Sequence, residues 1–425
     1  MASPRVVIVD GSPLLYRAYH GLRKSPLWKA LGDGVGKAST GQRLVEQPPQ
    51  EVRDDAVVAI VGNVRQRVQS ILEATSPERF VVVFDELGSW RTRTTRVAQF
   101  KEKAKTDEQT VDEKLEELAE QQEVAGAELA KQMFLEISED YENVVDPAVP
   151  VLAMEAAFRA PWDIDRLSRE LQDWQSRNKQ SKVMDRMDKL LFKAQDILKD
   201  YEKRRGLVHL ETRQALCLAD YPRYKSNRVI PTDDLVIKSL PVIRDVLEGV
   251  NIPVMGSTSH LGCEADDVIG SLAVGASKHF DHPDISLVSV DKDFFQLIGP
   301  STKVLRPKTL LKRKVSFTTH DLAWFKEAYH GLPPSSFADI LALVGDPADS
   351  VPGVKGIGKV RAPKLLAAHG GTLETLLEMG RAGKVSPARF NDVLVEQAKV
   401  VLLSKELTTI DTSLDLKIDW DHFRV

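Results

Sequence analysis

The chain has 425 residues, 42% hydrophobic and 28% charged, with a formal net charge of −4. That length allows two or three domains with buried cores. No apolar run approaches the roughly 20 residues that span a bilayer, and two cysteines, Cys217 and Cys263, argue against a disulfide framework or a thiolate metal site. A strand pattern begins almost at Met1, so no signal peptide is visible, and a reducing intracellular compartment is expected.

In chain order, three segments read as buried strands ending in an acid. They are Val6-Val7-Ile8-Val9 before Asp10, Val81-Val82-Val83-Phe84 before Asp85, and Ile285 to Val290 before Asp291. Short β-branched runs with helical patterns between them predict an α/β domain with a parallel sheet. Ligands of such sheets sit beyond the carboxyl ends of the strands, which is where all three acids fall.

Residues 89–212 carry no strand pattern and are rich in Glu, Lys, Gln and Ala. Val183, Met187, Leu190, Leu191, Ala194, Leu198 and Tyr201 form a helical stripe. An inserted helical hairpin or small bundle is expected, its charges forming a solvated face.

Further on, Glu264, Asp266 and Asp267 crowd the start of a predicted helix. A helix N-terminus favours acids, but three so close repel by roughly 4 kcal/mol per pair at 4 Å and an effective dielectric near 20. No basic residue lies in that segment, and a metal would compensate. Asp291 and Asp293, in VDKDF, repeat the pattern, with Lys292 expected to point away if the strand continues.

The stretch Gly345 to Lys359 then joins Asp346 and Asp349 to a hairpin with Gly353, Gly356 and Gly358, between helices at Phe337–Leu343 and Lys359–Ala368. Close carboxylates suit a hard divalent cation, and a glycine hairpin opening a helix lets backbone N–H groups approach a phosphate. An ordinary Asp/Gly turn is the plain alternative. If the sheet folds as read, nine acids converge: Asp10, Asp85, Glu264, Asp266, Asp267, Asp291, Asp293, Asp346 and Asp349. That is too many for one Mg²⁺ and suits two ions about 4 Å apart. Setting these nine aside leaves the rest of the chain net positive, and residues 101–140 are themselves strongly acidic, so the total charge conceals a basic working face.

Taken in order, VDGSPLLYRAYHG (9–21), VVFD (82–85), YKSNR (224–228), DDL (233–235), EADDVIGSLA (264–273), SVDKDFFQLI (289–298) and LALVGDPADSVPGVKGIGK (341–359) make the chain resemble the 5′ nucleases. These are the 5′–3′ exonuclease domain of bacterial DNA polymerase I, phage 5′ exonucleases and, more distantly, flap endonucleases. The resemblance implies a PIN-like core on a parallel sheet and a C-terminal helix-three-turn-helix region that binds DNA; the helical insertion between Asp85 and Tyr224 departs from the family pattern. The expected domains are a discontinuous core at 1–88 and 213–330, the insertion at 89–212, and the C-terminal helical region at 331–425.

The same resemblance implies a metal-dependent phosphodiesterase that recognises DNA 5′ ends, flaps or nicks in replication or repair and leaves 5′-phosphates. The nine acids match the family's two-metal cluster, for Mg²⁺ with Mn²⁺ able to substitute, and the hairpin carbonyls match a K⁺ position. Tyr224, Lys225 and Arg228 match its arch-base residues, with Lys225 and Arg228 one helical turn apart and facing the scissile phosphate. Arg17 matches a phosphate contact. On the hairpin, Gly353, Gly356, Gly358, Lys359 and Arg361 are the expected DNA contacts, with Val360 where the family carries a basic residue.

Two alternatives stand beside this reading: a nuclease acting mainly on RNA or RNA–DNA hybrids, and a non-catalytic DNA-end-binding scaffold. Residues 89–212 are the expected site of any protein partner, and no membrane partner is expected. The large insertion and a chain that stops where a polymerase would continue favour an organelle (mitochondrion or plastid) or a nucleoid.

Overall fold

The computed structural model describes residues 3–22, 25, 50–86, 91–140, 144–158, 164–178, 183–219, 221–222, 224–225, 234–257, 263–308 and 315–425. Two compact units divide the chain, residues 1–99 with 221–425, and residues 100–220.

The first unit opens with β1 (Arg5–Asp10), α1 (Ser12–Leu22), α2 (Gln50–Thr75), β2 (Arg79–Phe84) and the start of α3 (Arg91–Ser138). The second unit holds the rest of α3, then α4 (Val149–Ala157), α5 (Ile164–Arg177) and α6 (Met184–Ala219). Its core is Leu129, Met133 and Ile137 of α3, Met154 of α4, Leu167, Leu171 and Trp174 of α5, and Met187, Ala194 and Leu198 of α6. The inward side chains of α6 recur every three or four residues, as a helix packed on one face requires.

The first unit resumes with α7 (Asp234–Glu248), β3 (Val254–Gly256), α8 (Ala265–His279), β4 (Asp284–Val288), β5 (Thr302–Pro307), β6 (Phe317–His320) and α9 (Leu322–Ala328). It closes with α10 (Phe337–Val344), α11 (Arg361–Ala368), α12 (Leu373–Arg381), α13 (Phe390–Glu396) and α14 (Ala398–Thr408). The strands form one sheet in the order β3-β2-β1-β4-β5-β6. Neighbours are parallel except β6, which runs antiparallel to β5 at the edge.

Both faces of the sheet are covered. Val6 and Ile8 of β1, with Val81 and Val83 of β2, pack towards α8 and the C-terminal helices. Val7 and Val9, with Phe80, Val82 and Phe84, pack towards α1, α2 and α7. A strand buried on both sides needs apolar residues at every position, which is why these strands read as unbroken hydrophobic runs. The strand order reverses at β1, whose Val9 pairs with Val82 of β2 and with Val288 of β4. Ligands of open α/β sheets bind in the crevice at such a reversal.

One strand departs from the sequence expectation. β4 ends at Val288, before the predicted Val290. The Ser289 hydroxyl accepts from the Asp291 N–H (2.9 Å) and donates to Asp10 Oδ2 (2.7 Å), while Arg306 holds the Val290 carbonyl. These bonds turn the chain out of the strand, so Lys292 swings towards the acids and binds Asp293 (3.2 Å) and Asp346. The expectation that Lys292 points away is therefore corrected.

Candidate active site

The acids arrive at the crevice by different local routes. Asp10 is the last residue of β1, and Asp85 follows β2, its N–H bonded to Ser12 Oγ at 2.9 Å. Asp85 Oδ1 in turn accepts from the Ala265 N–H at 2.8 Å, which seats the first turn of α8 on the end of β2. Glu264 is the N-cap of α8, and Asp267 closes a capping box with it. Asp266 lies between them on the same first turn. Asp291 and Asp293 follow β4, with the Asp293 N–H on Asp291 Oδ1 at 3.0 Å.

Burial and mutual repulsion set the protonation of these groups. Burial, then the charges of Asp85 and Asp291, push the Asp10 carboxyl up to about 8, although the Ser289 hydroxyl pulls the other way. Asp266 is also raised well above the ordinary carboxylate range, by burial and then by Asp10, Asp291, Asp85 and Glu264. Burial and Asp291 raise Asp293 to about 7, against the pull of Lys292. Asp346 moves down: burial would raise it, but Lys292 and the N–H groups of Ala348 and Asp349 outweigh that.

Eight of the nine acids separate into a centre and two flanks, while Asp85 accepts from the Ala265 N–H at the start of α8. On one flank, the Arg93 guanidinium bridges Glu264 and Asp267 (2.8 Å to Asp267), and Lys225 also binds Glu264 and lies 4.0 Å from Asp349. On the other, Lys292 joins Asp293 and Asp346. Asp10, Asp266 and Asp291 form the centre, where no described cation pairs with them. Among the described residues, no three His, Cys, Asp or Glu side chains stand in ligand geometry for a metal ion. By donor chemistry the group fits a hard divalent cation: all oxygen donors, several crowded negative charges, and carboxyls held protonated only by one another and by burial.

Tyr224 and Lys225 sit in a turn, not on a helix, with Lys225 in the left-handed region at φ 55°. This corrects the expected helical spacing from Lys225; Arg228 lies outside the described residues. The Lys225 N–H donates to the Asp349 carbonyl at 2.8 Å, linking this turn to the hairpin acids. Tyr224 is buried, its phenol accepting from Arg93 (3.2 Å) and donating to Glu264 (3.4 Å). Arg17 is exposed on α1 and borders the same small cavity as Asp10.

The hairpin joins α10 to α11. Asp346 caps a 3-10 turn at Pro347–Asp349 through the Ala348 N–H (3.0 Å) and forms an isolated bridge with Val351. Gly356 needs its freedom at φ +83°, whereas Gly358 faces open space. Gly353 meets an internal constraint: a Cβ there would lie 2.2 Å from the Val344 carbonyl oxygen. Lys359 and Arg361 are exposed, and Arg361 also donates to the Gly356 carbonyl at 2.7 Å.

Two residues of this site escaped sequence reasoning, Arg93 and Ser289, and a third, Lys292, was expected to point away from it. The basic run Trp90 to Arg96, close behind Asp85, was a signal for the first. Nothing local marked Ser289, whose partner Asp10 is 279 positions away.

Comparison with known proteins bears on the same residues. A family model described as the 5′–3′ exonuclease N-terminal resolvase-like domain matches residues 166–330, and one described as the 5′–3′ exonuclease C-terminal SAM fold matches 332–425. Together they cover more than half of the chain. The chain belongs to the 5′–3′ exonuclease family. Within that family it is similar to DNA polymerase I of Chloroflexus aurantiacus, 33% identical over 205 residues, 48% of this chain and 21% of the relative. It is also similar to the thermostable DNA polymerase I of Thermus thermophilus, 34% identical over 201 residues, 47% and 22% of the two chains. The chain thus spans about a fifth of the length of these relatives. A crystal structure of the T5 D15 protein with metal ions superposes with TM-score 0.45 at 12% identity, over 96% of this chain and 89% of that one, too loosely to carry an argument. The exonuclease matches include Glu264, Asp266, Asp267, Asp291, Asp293, Asp346 and Asp349, while Asp10 and Asp85 reach the site through β1 and β2 of the same sheet.

Proposed function

We propose that the chain is a structure-specific 5′–3′ exonuclease and 5′-flap endonuclease that hydrolyses DNA phosphodiester bonds with divalent metal ions, in primer or flap removal. The observation that carries this is the group of carboxyls at the reversal of strand order, Asp10 buried and Asp266 and Asp291 half-buried, with no described cation paired to them. Two Mg²⁺ ions held there by Asp10, Asp85, Glu264, Asp266, Asp291 and their neighbours would neutralise charge on the phosphodiester and lower the pKa of water. Ser289 orients Asp10 and the Asp291 backbone. Lys225 offsets negative charge that develops on the phosphate, and the exposed Lys359 and Arg361 grip the duplex backbone beyond the hairpin. K⁺ at the hairpin carbonyls, action on RNA–DNA primer hybrids, a protein partner on residues 89–212, and an organellar or nucleoid setting belong to the same proposal and rest on the family resemblance and the insertion.

The test is incubation of the purified chain with end-labelled 5′-flap, nicked and blunt duplexes, DNA and RNA flaps side by side, with Mg²⁺. The expected result is Mg²⁺-dependent product with a 5′-phosphate from the flap. A folded preparation that binds flaps but leaves every end intact would turn the assignment to an end-binding scaffold.

Ser289→Ala removes the hydroxyl that aligns two acids. Groups that orient metal ligands typically contribute about 10–100-fold in ion affinity or activity. The variant is expected to need correspondingly more Mg²⁺, read from the ion titration of both thermal stability and cutting, and Ser289→Thr should restore it. Equal Mg²⁺ requirements in the Ala variant and the native chain would remove Ser289 from the site.

A further inference from the structure

Arg93 is held in the crevice by two carboxylates, and the acids give it a purpose that its own helix does not. It is the third residue of α3, where the helix dipole disfavours positive charge. Its side chain is 14% exposed, and the guanidinium forks between Glu264 and Asp267, with Tyr224 Oη at 3.2 Å and the Thr409 carbonyl at 3.3 Å. Both carboxylates belong to the set assigned above to ions, and Lys225 rests on the same Glu264.

A divalent ion that coordinates Glu264 Oε2 and Asp267 Oδ1 competes with the guanidinium for them, because the two positive charges repel at that range. When ions take Glu264 and Asp267, Arg93 keeps only two neutral acceptors, Tyr224 and Thr409. Neutral partners do not compensate a desolvated charge. The anion then nearest to hand is the substrate phosphodiester, whose oxygens match the planar fork of arginine.

We propose, on the nuclease reading above, that Arg93 is a further substrate-phosphate residue: it is parked on Glu264 and Asp267 and moves to the phosphodiester when ions and DNA enter. It forms one cationic edge of the crevice with Lys225, and it reaches the site from the opposite side of the insertion in sequence. Arg93 therefore competes with ions for the carboxylates and cooperates with them on DNA.

The full chain carrying Arg93→Gln, and separately Arg93→Lys, tests this. Without the competing guanidinium, the upward shift in melting temperature on adding Mg²⁺ should be larger in Arg93→Gln than in the native chain. Single-turnover cutting of a 5′-flap duplex should fall by about 100-fold, flap affinity measured in Ca²⁺ should also fall, and Arg93→Lys should recover part of both. A smaller Mg²⁺ shift that parallels the loss of cutting would make Arg93 a support for the carboxylates and overturn the proposal. Native cutting and flap affinity in Arg93→Gln would overturn it too. If the native chain itself does not cut, the nuclease reading fails on its own, and flap affinity in Ca²⁺ still decides whether Arg93 contacts phosphate. Arg93→Lys serves where Arg93→Gln does not fold.

Discussion

Asp266→Asn is expected to slow flap cutting by at least about 10³-fold while making the ion-free protein more stable. Asp266 stands among other acids, with Asp10, Asp291, Asp85 and Glu264 all raising it after burial. Replacing it with a neutral isostere removes a principal electrostatic group from the crevice, and losses of about 10²–10³ or more follow such removals. The same change relieves repulsion that the fold otherwise has to bear, so stability and activity move in opposite directions. Melting without divalent ions should rise, and the Mg²⁺-induced shift should shrink. A variant that cuts at the native rate, or that melts lower without ions, would separate Asp266 from the cluster.

The sign of the pH dependence follows from the direction of these shifts. The Asp10 carboxyl is raised in the fold from 3.8 to about 8, so between those values the folded protein keeps a proton that the unfolded chain releases. Stability from this group is complete at acid pH and declines as pH rises from about 4 towards 8. The Asp266 carboxyl is likewise raised, by burial and then by Asp10, Asp291, Asp85 and Glu264, so the melting advantage of Asp266→Asn in EDTA should widen between pH 5 and pH 8. An advantage that narrows with pH would contradict the mutual raising of the acids.

Gly353→Ala is expected to lower stability by roughly 3 kcal/mol or more, with loss of DNA binding. Its Cβ would fall 2.2 Å from the Val344 carbonyl oxygen and 2.7 Å from the Gly345 nitrogen, both backbone atoms that cannot rotate aside. Gly345 is at φ +78° and packs against Gly353 from the other side. The pair closes the loop that carries Asp346 and Asp349, so disruption reaches the carboxylates as well as the hairpin. Gly358→Ala separates shape from stability: its Cβ meets nothing within 4 Å, so the fold should hold. If phosphate approaches that backbone, flap affinity should fall nonetheless. Equal melting temperatures for Gly353→Ala and the native chain would refute the packing argument.

Much of the site was legible because the chemistry of each acid is local. A strand buried on both faces must be apolar throughout, so Asp10 and Asp85 marked strand ends without any knowledge of the fold. The crowding of Glu264, Asp266 and Asp267 showed a charge excess that asked for compensation. The hairpin glycines announced unusual backbone, although Gly353 proves to answer Val344 rather than open space. The reading failed at Lys292 because it assumed that β4 continued. Side-chain direction alternates along a strand, and one early exit at Ser289 reversed it.

By itself, the order of residues determined the acids, their placement at the ends of buried strands, the helical character of the insertion and the glycine hairpin. Only the tertiary structure decided which carboxyls are held by cations and which are left to repel one another. Arg93 and Glu264 are 171 positions apart in the chain, yet they touch. Coulomb energy depends on distance through space and on the local medium, and neither is written in the spacing of residues along a sequence.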